Sequence, residues 1–271
     1  MVIRAAAATG DPTGSPGSAA PYLLASHVHA CVAGRHVVLM DLERDKYVVV
    51  EPAHRLAHWV RGWPVAALPG DATAAEGRAP IECGPAAEAI PAQDGGARAL
   101  LREMVAHGML VTDPEEGRPA TPIATVRPVR TLIEFDLDEP PRASARQFRR
   151  FARAWMKARL ALSLRPIQST IEVVRGSRSR LRRAPAPDPA ATRALVMAFT
   201  RLRPLFYTLR DACVLDSLTM LHFLASYGAH PEWVFGVKTE PFDARCWLQQ
   251  GELLLNDLPD RVRRYSPILL V

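Results

Sequence analysis

The stretch that decides the fold of the second half of the chain is CVLDSLTMLHFLASYG, residues 213–228. Its leucines recur at helical spacing and predict a helix over 213–227 with one buried face, marked by Leu215, Leu218, Leu221 and Leu224. Cys213 opens this helix, where the helix dipole and free N–H groups stabilise a thiolate. A single cysteine more often fills a core position than acts as a nucleophile, so the neighbouring pattern has to decide.

The segments around this helix predict helices first and a sheet afterwards. Downstream, four short apolar runs separated by turn residues predict an antiparallel sheet: WVFGVK (233–238), ARCWLQQ (244–250), ELLLND (252–257) and SPILLV (266–271). Upstream, helical periodicity covers 143–164, Ile167 to Val174 and 189–203, while GSRSRLRRAPAPDP (176–189) predicts a charged loop. The fold class is therefore α+β. A nucleophile that opens a helix packed against strands is the arrangement of papain-type enzymes.

Several spaced motifs resemble the C-terminal domain of lasso-peptide maturation proteins, the transglutaminase-like leader peptidases of the microcin-maturing family. The matching segments are CVLDSL (213–218), Gly236-Val237, FDARCW (242–247), Asn256-Asp257 and Ser-Pro-Ile at 266–268. Val214 departs mildly from the family pattern. The resemblance covers roughly residues 143–271.

The resemblance implies a papain/transglutaminase-like domain and a reaction. Cys213 would attack the peptide bond between leader and core, Asp257 would be the orienting acid, and water would resolve the acyl-enzyme. The family works beside an asparagine-synthetase-like cyclase that uses ATP to close the macrolactam. This chain carries no nucleotide-binding motif, so we expect no intrinsic cofactor.

At the position of the family's catalytic histidine this chain has Arg245. A guanidinium stays protonated and cannot accept the thiol proton, and beside Asp257 it would more naturally form an ion pair. Three interpretations are open: a slow or conditional protease, a pseudo-enzyme kept for leader delivery, or a variant of a position that is normally histidine. His222 on the same helix lies about 13 Å along the axis and cannot substitute, while His230 precedes the strands and stays a weak alternative.

The N-terminal half predicts strands over 22–33 and 36–50, the second split by a turn at 43–45, then helices over 52–63 and 86–108 and a short strand after Gly108. This outline is winged-helix-like and resembles the precursor-recognition domain fused ahead of such peptidases. In that family the leader binds as an added strand. The resemblance assigns leader binding to the segment Lys46, Tyr47, Val48, Val49 and Val50, beside the helix around Arg98–His107.

We therefore predict a disordered lead-in over 1–20, a recognition domain over 21–113, a Pro-punctuated linker over 114–142 and a peptidase-like domain over 143–271.

The composition favours a cytoplasmic protein, and its positive charge suits an acidic peptide, a membrane surface or nucleic acid. The chain has 271 residues, a net charge of +6 and four cysteines without a CxxC motif. The basic helix over 146–159 makes membrane association conceivable but not favoured, and nucleic-acid binding is not expected. The histidine pairs 54/58 and 27/29 have metal spacing but no third ligand, so no metal site is predicted. The alternative function, favoured by Arg245, is a binding-only protein that delivers the leader.

Overall fold

The structure, a computed structural model, describes residues 21–50, 56–64, 95–132, 143–181, 188–208 and 213–271, with the side chains of 178–181 left undescribed. The chain divides into two compact units, Met1–Pro122 and Ile123–Val271. The described strands form two three-stranded sheets in the first unit and one five-stranded sheet in the second. Each unit has its own buried side chains and is described by itself below.

The first unit begins with β1 (Leu23–Ala25) and a meander of β2 (Val28–Ala33), β3 (His36–Asp41) and β4 (Lys46–Val50), in the sheet order β2-β3-β4. The predicted turn at 43–45 is confirmed. The Asp41 carboxylate accepts hydrogen bonds from the backbone N–H groups of Glu43 and Arg44, both at 3.0 Å, and Asp45 has a φ of 51°. Asp41 thus closes the hairpin between β3 and β4 as an Asx turn does.

A second small sheet completes this unit. Helix α1 (Gly95–Ala106) is followed by Gly108, whose φ of 64° fits the predicted C-cap. The strands β5 (Leu110–Val111) and β6 (Gly117–Arg118) flank β1 in the order β5-β1-β6. Apolar side chains from both sheets and α1 form one core, including Leu24, Val37, Leu39, Leu56 and Met104.

Two predictions for this region need correction. The segment 114–142 is not a linker throughout, because β6 pairs with β1 and the division between the units falls after Pro122. The helix predicted over 52–63 is a turn in its described part, 56–64. The backbone there forms hydrogen bonds with Tyr22 instead of continuing a helix. The Tyr22 N–H donates to the Trp59 carbonyl, and the Arg61 N–H donates to the Tyr22 carbonyl. Residues 52–55 and 86–94 of the predicted helices lie outside the described residues.

The second unit contains α2 (Ala145–Leu164), α3 (Ile167–Leu181), α4 (Pro189–Leu202), a 3-10 turn (Arg203–Leu205), α5 (Cys213–Ala225) and α6 (Pro259–Val262). Ser144 and Gln147 form a capping box that starts α2. Phe151 of α2 packs against Phe199 of α4 and Phe223 of α5, with ring centroids 5.0 and 6.1 Å apart. No helix in the described part of the chain is both long and apolar enough to cross a bilayer.

The sheet of this unit has the order β11-β8-β9-β10-β7, formed by β7 (Arg130–Thr131), β8 (Glu232–Thr239), β9 (Phe242–Gln250), β10 (Leu253–Leu254) and β11 (Ser266–Leu270). The predicted C-terminal strands are all present, and the unit mixes helices with a sheet as predicted. The strand β7 comes from the segment predicted as linker and runs parallel to β10.

The loop predicted over 176–189 is wrong at its start, since α3 continues to Leu181. Arg and Ser are tolerated in helices, a single Gly176 costs only about 1 kcal/mol, and the first proline after it is Pro185.

Candidate active site

Cys213 is the first residue of α5 and is partly buried. Its pKa is lowered from 9.0 to about 6. The largest cause is a hydrogen bond from the Cys246 side chain, while the backbone N–H groups of Cys246 and Val214 and the positive charge of Arg245 act in the same direction, and burial opposes them. Because an ordinary cysteine is largely a thiol at neutral pH, this environment makes Cys213 a thiolate there.

Cys246 is the second thiol of the site, and it lies on β9 with an exposed fraction of only 3%. Burial raises the pKa of Cys246 well above its usual range, so it stays protonated and can donate to the Cys213 sulfur. Ser217 joins the helix to this strand, because its Oγ donates to the Cys246 carbonyl at 3.3 Å and lies 3.7 Å from the Cys246 sulfur.

Arg245 and Asp257 form an ion pair with Nη1 and Oδ2 3.0 Å apart. Asp257 is buried and also accepts from the Leu258 backbone N–H at 2.8 Å, while the Arg261 guanidinium lies 3.6 Å from its other oxygen. Burial acts to lower the pKa of Arg245, but Tyr265 and Asp257 outweigh it and raise that pKa. The ion pair expected from the sequence is therefore present, and Arg245 holds its proton.

A polar network lies beneath the start of α5. The Asn256 side chain accepts from the Leu248 backbone N–H at 2.8 Å and donates to Asp216 at 3.1 Å and to Ser217 at 2.9 Å. Asp216 is 2% exposed and also accepts from the Tyr207 hydroxyl at 3.0 Å. Burial raises the pKa of Asp216, against the opposing effect of Arg203 and the hydrogen bonds. This network fixes the first turn of α5 against β9.

Of the predicted catalytic residues, the structure pairs Arg245 with Asp257. Cys213 instead accepts hydrogen bonds from Cys246, which was not among the predicted site residues. Successive side chains of a strand point to opposite faces, so Arg245 and Cys246 leave β9 on different sides. Arg245 therefore acts on Cys213 through its charge, whereas Cys246 acts by direct hydrogen bonds.

Sequence reasoning missed Cys246, Ser217 and Asn256 as parts of the site. Cys246 belongs to the motif FDARCW (242–247). The alternation of side chains along a strand predicts that Cys246 and Arg245 lie on opposite faces. Which face meets α5 depends on the packing of the sheet, and no local pattern contains that information.

Neither histidine considered as a substitute base gains support. His222 lies within α5, and burial, with a smaller effect of Lys157, lowers its pKa to about 4, so it is neutral at physiological pH. The residue His230 lies in the segment just before β8 and is partly buried. No described contact joins the His222 side chain to Cys213.

An open groove of about 520 Å³ lies beside Asp257, lined by Val129 and by residues of the α6 segment, Leu258, Pro259, Asp260, Arg261, Arg263 and Arg264. Its lining carries more positive than negative groups. Among the described residues, no cluster of three or more His, Cys, Asp or Glu side chains could hold a metal ion. His54, one member of a predicted histidine pair, lies outside the described residues.

The segment predicted to bind a leader is β4, which forms one edge of its sheet among the described strands. It pairs with β3 from Asp41–Lys46 to Val37–Val50. Lys46 is exposed, Tyr47, Val48 and Val49 are partly buried, and Val50 is buried. One side of this strand's main chain thus faces away from the β3 ladder, which is the geometry that strand addition needs.

The arrangement around Cys213 can carry out nucleophilic attack by a thiolate. The positive charge of Arg245 lies nearby, and hydrogen-bond donors contact the Cys213 sulfur. These two features lower the pKa of Cys213 without the help of a neighbouring base. Among the described residues that act on Cys213, none passes protons to and from the reacting atoms near neutral pH, since neither a guanidinium nor a buried thiol of raised pKa does so.

Comparison with known proteins supports the fold class of the second unit. Residues 152–270 match the family described as the Transglutaminase-like superfamily. The matched region contains Cys213, Arg245, Cys246 and Asp257. The C-terminal domain is therefore transglutaminase-like. Neither the curated proteins nor the solved structures include a significant match to the chain.

Proposed function

We propose that this protein takes part in the maturation of a lasso peptide, where it binds the leader of a precursor and cleaves it from the core through Cys213. The observation that carries the proposal is the thiol of Cys213, which opens α5 in a transglutaminase-like domain with a pKa lowered to about 6. The link to lasso peptides rests on the motif resemblance over residues 143–271, and the substrate class follows from that resemblance.

In the proposed reaction the Cys213 thiolate attacks the carbonyl carbon of the bond between leader and core. The leader stays on the sulfur as a thioester, the core leaves with a new amino terminus, and water hydrolyses the thioester. The leaving amine needs a proton and the attacking water must lose one, so both halves of the reaction lack their usual histidine. A partner cyclase of the asparagine-synthetase-like class would then use ATP to join the freed amine to a carboxylate of the core.

A second candidate is a leader-binding protein with an impaired active site. The Arg245–Asp257 ion pair favours it, because it occupies the strand position where the family has histidine and engages the acid that would orient that histidine. A missing general acid–base typically removes about 10²–10⁴ in rate. The two candidates share the binding step and differ only in whether the bond is cut at a useful rate.

We propose further that the first unit is the leader-binding part, a winged-helix-like recognition domain that takes the leader as an extra strand on β4. The position of β4 at the edge of its sheet among the described strands supports this, since an added peptide strand hydrogen-bonds to the main chain of an edge strand. The apolar side chains of Val48 and Val49 give that edge side-chain specificity.

The first test is mass spectrometry of a precursor peptide incubated with the protein, with and without its cyclase and ATP. We expect slow release of the leader by the unchanged protein and none by Cys213→Ala, with Cys31→Ala as the matched cysteine control. Cys31 is buried in the first unit and should leave release unchanged. Equal release by the protein and Cys213→Ala would remove the peptidase, while no release by either, with intact leader binding, would favour the delivery protein.

A second test concerns the edge of β4. Neighbouring residues of a strand turn their N–H groups to opposite sides, so of Tyr47→Pro and Val48→Pro only one removes a bond to β3. The other variant should have nearly the same free energy of unfolding as the unchanged protein. Its affinity for a fluorescently labelled leader should fall by tenfold or more. Unchanged affinity in the well-folded proline variant would contradict strand addition at β4.

A further inference from the structure

Two thiols lie at the candidate active site, and the proposed cleavage uses only one of them. Cys213 is partly exposed, whereas Cys246 is 3% exposed and enclosed between β9 and α5. Both cysteines are free in the structure. A buried thiol beside a nucleophilic one has no task in peptide-bond cleavage beyond its hydrogen bond.

The position of Cys246 is fixed by contacts that do not involve Cys213. Ser217 Oγ lies 3.3 Å from the Cys246 carbonyl oxygen and 3.7 Å from its sulfur. Ser217 is itself held by the Asn256 side chain at 2.9 Å. Residues four apart lie on the same face of a helix, so Cys213, one turn before Ser217, faces the same point of β9. Its sulfur accepts hydrogen bonds from the side chain and the backbone of Cys246.

We propose that Cys213 and Cys246 form a reversible disulfide when the protein meets a peroxide, with Cys213 as the attacking thiol and Cys246 as the resolving thiol. The site is thus a thiol pair that a hydroperoxide modifies, and the inference does not depend on the natural substrate of the protein.

The chemistry needs one peroxide per disulfide. The Cys213 thiolate attacks one oxygen of hydrogen peroxide, the O–O bond breaks, and a sulfenic acid and hydroxide form. The Cys246 sulfur then attacks the Cys213 sulfur, the S–O bond breaks, and the hydroxyl group leaves as water with the Cys246 thiol proton. Hydroxide takes the remaining proton from solvent. Two thiols give two electrons, and the peroxide is reduced to two molecules of water.

The other described cysteine shows why the pair is specific. Cys31 is also buried, and burial raises its pKa to about 12, so it carries no thiolate at neutral pH. Cys213 is ionised under the same conditions and partly exposed, which are the two properties that select a cysteine for oxidation. The disulfide would mask the nucleophile and protect it from further oxidation to a sulfinic acid.

The test is peptide mapping of the full-length protein after treatment with hydrogen peroxide and blocking of the remaining thiols. Trypsin separates the four cysteines into the peptides 5–35, 79–98, 211–238 and 246–261. We expect peptides 211–238 and 246–261 to be joined, at 2 Da below the sum of their reduced masses, and to separate again with dithiothreitol. Joining also reports geometry, since a disulfide requires Cα atoms within about 7 Å.

Two variants sharpen the result. In Cys246→Ala the joined peptide should be absent, and peptide 211–238 should instead gain 32 Da as a sulfinic acid; in Cys31→Ala the joined peptide should persist. The unchanged protein alone can overturn the proposal: oxidation of Cys213 to a sulfinic acid without a joined peptide, a bridge to peptide 79–98, or no reaction with peroxide would each do so.

Discussion

The chemistry of this protein depends on what surrounds one sulfur atom. Cys213 has donors at its sulfur and a guanidinium charge nearby, which stabilise the thiolate without a histidine. Arg245 supplies charge but no proton transfer, since its partner Asp257 holds it as an ion pair at 3.0 Å. The described partners of Cys213 thus support attack by its sulfur but not proton transfer to the leaving group. The reactivity of the Cys213 thiolate and the rate of the full catalytic cycle can therefore be measured separately.

The pH dependence of Cys213 alkylation tests the residue-level account. Alkylation requires the thiolate, so its rate should fall as pH drops through the pKa of about 6. Removal of a donor destabilises the thiolate, so Cys246→Ala should move the midpoint upward, and Arg245→Gln should move it upward by less. Iodoacetamide labelling of peptide 211–238 between pH 4 and pH 10, followed by mass spectrometry, gives the midpoint. A midpoint near the ordinary cysteine value of about 8.5 would contradict the account.

At the level of elements, β8 and β9 depend on a close approach at Gly236. A Cβ there would lie 2.7 Å from two ring atoms of Trp247 and 3.1 Å from Cβ of Tyr265. Trp247 is 1% exposed, so it is a core residue and cannot move aside freely.

We therefore expect Gly236→Ala to lower the free energy of unfolding by about 1–3 kcal/mol. The matched control is Gly176→Ala in α3, where a Cβ meets nothing within 4 Å and the helix should gain about 0.5–1 kcal/mol. Urea denaturation of the three proteins measures both changes. Equal stability of Gly236→Ala and the unchanged protein would show that the strands do not pack as described.

Periodic patterns predicted the elements well where burial repeats along the chain. Helices α2, α4 and α5 and the C-terminal strands follow from their apolar spacing. The end of α3 was missed because a polar, arginine-rich sequence continues a helix without an apolar signal. The turn at 56–64 was missed because its apolar residues, Leu56, Val60 and Trp63, keep helical spacing while the backbone bonds Tyr22.

The same limit applies to the site. The positions of Cys213, Arg245 and Asp257 came from the motifs, and the contact between Arg245 and Asp257 was expected from their charges. The contact between Cys213 and Cys246 was not expected, because it depends on which face of β9 packs against α5. The sequence pattern predicts which side chains of a strand share a face. It does not predict which of the two faces packs against a helix that is distant in the chain.

For the whole molecule, two separate compact units imply that binding and chemistry can be lost independently. Substitutions on β4 should affect leader affinity, and substitutions at Cys213 should affect bond cleavage. The central claim concerns the second unit: a thiolate nucleophile is in place, and no side chain described as acting on it can be the base that completes its catalytic cycle.

The most direct test is the reaction of the protein with p-nitrophenyl acetate, monitored by release of p-nitrophenolate. This leaving group needs no proton, so the Cys213 thiolate should release about one equivalent in a burst, and hydrolysis of the acetyl-enzyme should then be very slow. Cys213→Ala should lack the burst, and Arg245→His should add turnover of about 10²-fold or more. No burst from the unchanged protein, or turnover as fast as that of Arg245→His, would contradict the account.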